Sequence, residues 1–319
     1  MNIYEQIDKN KRNTWFLITG FIVFFLAIGA GFDYYYGATY KDSVPLPFFS
    51  LVALAIAILM SLGSFFYGDK LVLSSTHARA LNLNNEKERQ FLNVIEEMSI
   101  ASGLPKPLAY VIDDSDPNAF ATGRNPEHSS IVATKGLLDV LNRDELQGVV
   151  AHEMSHIKNY DIRLMLVVAV LVGTIALLSD WARRSLFFSR NSRDRRNDGS
   201  LGVVILVIWL VSIILAPILA QIMAMFVSRR REYLADATGA ELSRNPLALA
   251  SALEKIDSRV EPTRSINRGT AHLCIADPKG SSINLKEGFV ADLFATHPPI
   301  KKRIEALKQM AYIKSTEGR

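Results

Sequence analysis

The sequence predicts an α+β fold that is mostly helical, in which four hydrophobic helices are joined to a polar domain with a small β-sheet. Three observations support this prediction: long apolar runs without charge, an amphipathic helix that precedes one of these runs, and short β-like segments bounded by turn residues. Hydrophobic residues make up 49% of the 319 residues, and a soluble domain of this length is usually more polar.

The hydrophobic runs predict transmembrane helices. Residues 15–32 and 44–66 contain no charged side chain, and each run is about long enough to cross a hydrocarbon core of ~30 Å as a helix. Two further runs, 164–182 and 201–227, have a similar character, although Asp180 near the end of the first makes that prediction weaker. The alternative for this second pair is a buried helix of a soluble domain, which its length and low polarity disfavour.

The polar sequence between these runs indicates one globular domain in two pieces. We divide the chain into an N-terminal transmembrane hairpin (1–66), the first part of the domain (67–163), a second transmembrane hairpin (164–227) and the second part of the domain (228–319). Both pieces of the domain are thereby tied to the membrane surface.

The charge pattern favours a lipid partner and a cytoplasmic domain. The net charge is +4, and its Lys and Arg residues cluster beside the hydrophobic runs, which suits anionic lipid head groups better than nucleic acid. Lys9, Lys11 and Arg12 precede the first run, so the positive-inside rule places the N-terminus, and with it residues 67–163, in the cytoplasm. The single cysteine, Cys274, excludes an intrachain disulfide and fits a reducing compartment.

The segment "HEMSH" at 152–156 predicts a metal site on a helix. Residues i and i+4 lie on one helical face, so His152 and His156 can bind one Zn²⁺ together. Glu153 lies beside them and can accept a proton from water. Asn142 and Glu145 have the spacing of a capping box, which supports a helix beginning there.

A second helix predicts the third ligand. A catalytic zinc usually has three protein ligands and one open position. In "RRREYLADATGAEL", Glu232 and Asp236 lie four residues apart on one face, so Glu232 can bind the metal while Asp236 supports a ligand histidine through a hydrogen bond. The alternative is an exposed acidic pair, which is common on helices. Pairing with the first motif favours the ligand interpretation.

These motifs together resemble the membrane-embedded zinc metalloproteases of the HtpX type, which are relatives of the CAAX prenyl endoproteases. The resemblance rests on "HEMSH", "REYLAD" and "THPPIKKR", and on "YEQIDKNKRNTW", "DPNAFATG", "NRDEL", "SHIKNYDIR" and "ADPKG", in this order. It implies a zincin-like catalytic domain in which His152, His156 and Glu232 hold one catalytic Zn²⁺ and Glu153 is the general base. It also implies a multi-pass protease of the bacterial inner membrane whose site faces the cytoplasm. Such a protease serves the stress response by cleaving damaged or misfolded membrane proteins.

Three short segments predict the sheet and a place for substrate. Residues 108–114, 118–123 and 129–134 have strand character and are separated by Asp, Pro and Gly turn signals. An edge strand beside the metal helix can pair with an extended peptide. We expect Asn118, Ala119 and Phe120 to contact the substrate, a role that the resemblance supports for Asn118. The alternative is an ordinary hairpin strand with Asn118 in a turn.

Two late residues are candidates for stabilising the transition state. His297 precedes Pro298 and Pro299, which set a rigid entry to a helix that carries Arg303. From spacing alone, a histidine at a helix start and a solvated arginine are the simpler interpretation. The resemblance favours catalytic roles for both.

Three questions stay open at this stage. The connection 183–200 is rich in arginine, and short basic loops resist translocation, so the second hairpin either crosses fully, which we favour, or inserts partway. A CAAX-type prenyl endoprotease is an alternative function, although that relative should have more than four spans. A non-catalytic membrane adaptor with a structural zinc is another, although structural sites usually have four protein ligands.

Overall fold

The computed structural model of the chain describes residues 3–39, 47–171, 184, 229–258, 273–276 and 298–317. The predicted α+β class, mostly helical with a small β-sheet, is confirmed over these residues. The described elements are, in chain order, α1 (Ile3–Thr39), α2 (Phe48–Ser75), β1 (Arg79–Ala80), α3 (Glu86–Ser102), β2 (Leu108–Ile112), β3 (Ala119–Asn125), β4 (His128–Thr134), α4 (Lys135–Val140), α5 (Arg143–Lys158), α6 (161–171), α7 (Arg229–Ser243), α8 (Pro246–Asp257) and α9 (Ile300–Glu317).

Helices α1 and α2 form a long hairpin with an apolar exterior. Asp33 near the end of α1 accepts hydrogen bonds from the backbone N–H groups of Phe49 and Ser50, at 2.8 and 2.9 Å, and so caps the first turn of α2. Large side chains such as Trp15 (61% exposed) and Leu59 (69% exposed) point outward. Among the described residues, these are the two helices long and apolar enough to cross a membrane.

The hydrophobic helices extend beyond the apolar runs that predict them. Helix α1 begins at Ile3 rather than near 15, and α2 continues to Ser75, past the predicted boundary at 66. The first part of the third hydrophobic run lies in α6, where Val167 and Leu171 are buried against α1 and α2. The rest of the third run and the whole fourth run lie outside the described residues, as does the arginine-rich connection except Arg184.

The four-stranded mixed sheet has the order β1-β2-β4-β3. Strand β2 pairs in parallel with β4, while β1 and β3 pair antiparallel with β2 and β4. All three predicted strand segments are therefore strands, and β3 is an edge strand, as predicted. Gly123 (φ 142°) lies where the β3–β4 register shifts, and a side chain there would meet the backbone of His128.

The sheet separates two hydrophobic cores because successive side chains of a strand point to opposite faces. On one face, Ala119 and Ala121 of β3 pack with α3, α5, α8 and α9. On the other, Phe120 packs with Val72 of α2 and Leu166 of α6. Helix α5, which carries the "HEMSH" segment, and the apolar helix α2 thus pack on opposite faces of the sheet, which brings this segment close to the base of the hairpin.

Candidate metal centre

Helix α5 presents the two histidines in one buried group. The predicted capping box is confirmed: the Asn142 side chain accepts from the Glu145 N–H at 2.9 Å, and the Glu145 carboxylate accepts from the Asn142 N–H at 2.8 Å. One helical turn apart, His152 (0% exposed) and His156 (6% exposed) bring their Nε2 atoms to 3.2 Å. Two like atoms at this distance are placed to share one ion or proton.

Helix α7 brings the acidic residue opposite this pair. The Glu232 carboxylate lies 3.8 Å from Nε2 of His152 and 3.8 Å from Nε2 of His156. The ligand atoms of all three residues lie within 4.8 Å of one another, so this group can hold a metal ion. The close approach of α7 to α5 depends on Gly239, where a Cβ atom would lie 2.9 Å from the His152 backbone nitrogen.

The donor set fits a catalytic zinc. Two nitrogens that bind one tetrahedral Zn²⁺ at about 2.0–2.1 Å stand about 3.3 Å apart, close to the separation of the two Nε2 atoms. Two imidazoles and one carboxylate leave a fourth position open, which a structural site would fill with protein. Over the described ranges, Oε2 of Glu153 is a buried oxygen with no hydrogen-bond partner, which is costly unless a water or substrate group reaches it.

Glu153 is placed to exchange a proton beside the metal group. The residue is 1% exposed, and its carboxylate accepts a hydrogen bond from the backbone N–H of Ala121. Burial raises the pKa of the Glu153 carboxyl to about 7. A carboxyl with a pKa in this range both accepts and releases protons near neutral pH.

A buried ion pair, formed by Asp236 and Arg303, lies beside His152. Oδ1 of Asp236 lies 3.0 Å from Nδ1 of His152, so the two residues are adjacent, and the supporting role of Asp236 stays a prediction. Arg303 binds Asp236 through two hydrogen bonds of 2.9 and 2.8 Å, a bidentate arrangement. Although burial raises the pKa of the Asp236 carboxyl, the charge and hydrogen bonds of Arg303 lower it to about 2. Asp236 therefore carries a negative charge that faces His152.

Arg303 is buried in the centre rather than solvated. Its Nη1 donates to the carbonyl of Ile275 at 2.9 Å and lies 3.7 Å from Oε2 of Glu232. The simpler sequence interpretation, a solvated arginine, is wrong, because α9 packs this side chain into the core at 1% exposure. A direct role of Arg303 in the transition state stays a prediction. His297, its proposed partner, lies outside the described residues.

The predicted substrate residues lie at the start of the edge strand β3. Asn118 is 1% exposed, and its Nδ2 donates to the carbonyl of Ala276 at 3.3 Å. The carbonyl of Ala119 accepts from the N–H of Ile275 at 2.9 Å. Phe120 points away from the metal into the core beneath the sheet. Their contact with substrate stays a prediction, and residues 273–276 of the chain itself lie along this part of the edge.

A second carboxylate beside the histidines has no counterpart in the sequence prediction. Oδ2 of Asp161 lies 3.1 Å from Nδ1 of His156, so each histidine has its own acidic neighbour. Although burial alone lowers the pKa of His156, the hydrogen bond to Asp161 and the charge of Glu232 raise it to about 9. The sequence offers one signal for this contact, which is that Asp161 follows His156 by five residues in the segment "SHIKNYDIR". That segment contributes only to the family resemblance.

Comparison with known proteins finds a matching family profile and curated relatives that are similar over nearly the whole chain. The profile of Peptidase family M48 matches residues 85–311. A Protease HtpX homolog of Dictyoglomus turgidum is 43% identical over 307 residues, covering 96% of this chain and 94% of that protein. A Protease HtpX homolog of Streptococcus gordonii is 37% identical over 310 residues, covering 97% of this chain and 100% of that protein. Ste24p of S. mikatae has a TM-score of 0.48 and 17% identity, covering 95% of this chain and 67% of that structure.

Proposed function

The chain belongs to peptidase family M48 and is a membrane metalloprotease, and we propose that it is a zinc endopeptidase that cleaves damaged or misfolded membrane proteins. The observation that carries the proposal is the buried group of His152, His156 and Glu232 with the carboxylate of Glu153 beside it. These three residues would hold one catalytic Zn²⁺, and Glu153 would serve as the general base.

The proposed reaction is hydrolysis of a peptide bond by water. When bound, zinc supplies Lewis acidity, which polarises the scissile carbonyl and lowers the pKa of a water. Glu153 accepts the proton that this water loses as its oxygen bonds to the carbonyl carbon. The same carboxyl then gives the proton to the amide nitrogen as the C–N bond breaks. Asp236, 3.0 Å from Nδ1 of His152, would orient this imidazole so that its Nε2 is available to bind the zinc.

Substrate would bind as an extended strand along β3. This strand is an edge of the described sheet, and its Ala121 N–H contacts the general base. A peptide paired here lies beside both the metal ligands and Glu153. We assign Asn118, Ala119 and Phe120 to this binding site, and His297 and Arg303 to stabilisation of the negative tetrahedral intermediate.

The position of the site supports a role at the membrane surface. Helix α5 is joined to α6 by a two-residue turn, and α6 packs into the α1–α2 hairpin. The charges of Lys9, Lys11 and Arg12 favour a cytoplasmic N-terminus and thus a cytoplasmic site. We propose a multi-pass protein of the bacterial inner membrane that meets chains stranded in, or emerging from, the bilayer.

The test compares the native full-length protein with Glu153→Gln on a purified membrane-protein substrate, with zinc measured in both. The amide fills the same space but does not accept a proton at neutral pH, so zinc should remain and nearly all cleavage should be lost. Glu96→Gln, an exposed acid on α3, is the matched control and should cleave normally. Cleavage by Glu153→Gln at a rate near the native one would contradict the proposal.

A further inference from the structure

The first turns of α1 carry a buried polar face that the proposed reaction does not use. Gln6, Asn10 and Thr14 are spaced four residues apart and are 3%, 1% and 1% exposed. They precede the apolar run that begins at residue 15 and belong to the opening segment "YEQIDKNKRNTW". Burying polar groups costs free energy unless they form hydrogen bonds, so this face needs specific partners.

The partner of Asn10 is an acid beside the metal group. Nδ2 of Asn10 donates to Oδ1 of Asp161 at 2.6 Å and to the carbonyl of Asn159 at 2.9 Å. Its Oδ1 accepts from Nε2 of Gln6 at 3.3 Å, which orients the amide so that its NH₂ group faces Asp161. The amide of Asn10 is thus fixed from both sides.

Asp161 also contacts His156, one of the proposed metal ligands. Its other oxygen, Oδ2, lies 3.1 Å from Nδ1 of His156, while Nε2 of the same ring faces His152. When Nε2 of a neutral histidine binds a metal, its proton lies on Nδ1, and an acceptor there fixes both the tautomer and the ring orientation. Arg231, next to Glu232 in the chain, lies 3.6 Å from Oδ1 of Asp161 and balances its charge.

The turn that places Asp161 is strained. Tyr160 has φ 58°, a conformation that is unfavourable for a bulky residue and needs support from its surroundings. The tight turn at 159–160 returns the chain so that Asp161 lies beneath His156. Asn10 bonds both the carbonyl of Asn159 inside this turn and the side chain of Asp161 just after it.

We propose that Asp161 is the positioning residue of His156 and that Asn10 holds Asp161, so that the contact of the Asn10 amide, rather than the general packing of α1 on the 159–160 turn, raises the metal affinity of the site. The two histidines then have separate supports. His152 is oriented from the catalytic domain through Asp236 and Arg303, whereas His156 is oriented from a membrane helix. This inference rests on the proposed zinc site.

The test measures zinc affinity by chelator competition on full-length protein in detergent. The variants are Asn10→Ala, Asp161→Ala and the double variant, with Asn10→Leu as an isosteric form that lacks the donor. Lys11→Ala is the matched control, because its ammonium packs 4.4 Å from the Tyr160 ring on the same surface without bonding Asp161. Thermal unfolding without metal reports whether each variant folds, and the visible spectrum of the Co²⁺ form reports ligand geometry.

Asp161→Ala should weaken zinc binding by about 10–100-fold. Asn10→Ala and Asn10→Leu should weaken it by about 3–10-fold, the effect of one lost hydrogen bond, and should change the Co²⁺ spectrum. Because Asn10 acts through Asp161, the double variant should bind zinc like Asp161→Ala alone.

The outcomes distinguish failure of the Asn10–Asp161 inference from failure of the proposed zinc site. Native affinity in a folded Asn10 variant, or additive losses in the double variant, would overturn this inference and leave the proposed zinc site standing. Equal loss in Lys11→Ala would also overturn it, because any disturbance of the α1 surface would then suffice. Failure of the native protein itself to bind zinc would overturn the proposed function.

Discussion

Replacing Gly239 with alanine tests whether the spacing of α5 and α7 sets the metal centre. The added Cβ atom would lie 2.9 Å from the His152 nitrogen and 3.0 Å from its Cα, whereas ordinary contacts lie at 3.4–4 Å. Both neighbours are backbone atoms, which have no side-chain rotamer with which to move away. The helices must therefore separate by about 0.5 Å, the amount by which the contact is too short.

Two opposing effects determine the stability of Gly239→Ala. Alanine is better than glycine inside a helix by about 1 kcal/mol, whereas overpacking costs about 1–3 kcal/mol. We expect a net loss of about 0–2 kcal/mol in the free energy of unfolding. The effect on the metal is larger, because Glu232 is carried on the displaced helix and metal–ligand distances tolerate only about 0.2 Å. Zinc affinity should fall by about tenfold or more.

Two glycines provide controls for this experiment. A Cβ at Gly148 would lie 2.9 Å from the Leu249 nitrogen on α8, so Gly148→Ala overpacks α5 to the same degree, but against a helix that carries no candidate ligand and without separating α5 from α7. Gly63 on α2 has no atom within 4 Å of such a Cβ, so Gly63→Ala adds helix propensity alone. Thermal unfolding and chelator competition measure all three. The reasoning is refuted if Gly239→Ala binds zinc like the native protein, or if Gly148→Ala loses zinc equally.

Two further predictions concern carboxylates of the catalytic domain. Asp236→Asn should lower zinc affinity by about 10–100-fold. Because it removes the counter-charge of the buried Arg303, it should also destabilise the metal-free protein. Native zinc affinity in chelator competition together with a native thermal unfolding curve would show that Asp236 supports neither the metal site nor the fold. Burial raises the pKa of Glu145, but hydrogen bonds from Lys255 and from the Asn142 N–H outweigh it, so the folded-state pKa lies below its ordinary value. The stabilisation is therefore complete above the unfolded pKa of about 4.3 and disappears as the pH falls through the lower folded value. Glu145→Gln should lower the Tm at pH 7, and its difference from native should shrink in acid; a pH-independent difference would contradict this.

Local patterns in the sequence predict well the two helices that carry the candidate metal ligands. The capping box at Asn142, the four-residue spacing of His152 and His156, and the spacing of Glu232 and Asp236 all depend on contacts within one helix. Helix geometry alone converts these spacings into shared faces. The alternation along β3, with Phe120 opposite its alanine neighbours, follows from strand geometry in the same way.

The contacts that the sequence does not predict join distant segments. Asn10 and Asp161 are 151 residues apart, and Arg303 and Asp236 are 67 apart, so no periodicity relates them. Gly239 shows no special signal either, because its requirement arises from another helix. These partners depend on how helices pack, and packing has no local signature.

If substrate binds along β3 as proposed, the hydrogen bonds that the first residues of this strand already form affect which peptides bind. The Ala119 carbonyl already accepts from Ile275, and the Ala121 N–H already donates to Glu153. A peptide that pairs with these two groups exchanges existing hydrogen bonds for new ones, and such an exchange contributes little net free energy, because a hydrogen bond is worth about 1 kcal/mol only against solvent. Discrimination among substrates then depends on side-chain fit and on the ability of a segment to become extended. A chain that has already lost its folded structure meets the second requirement without an unfolding step, whereas a folded one must unfold locally first.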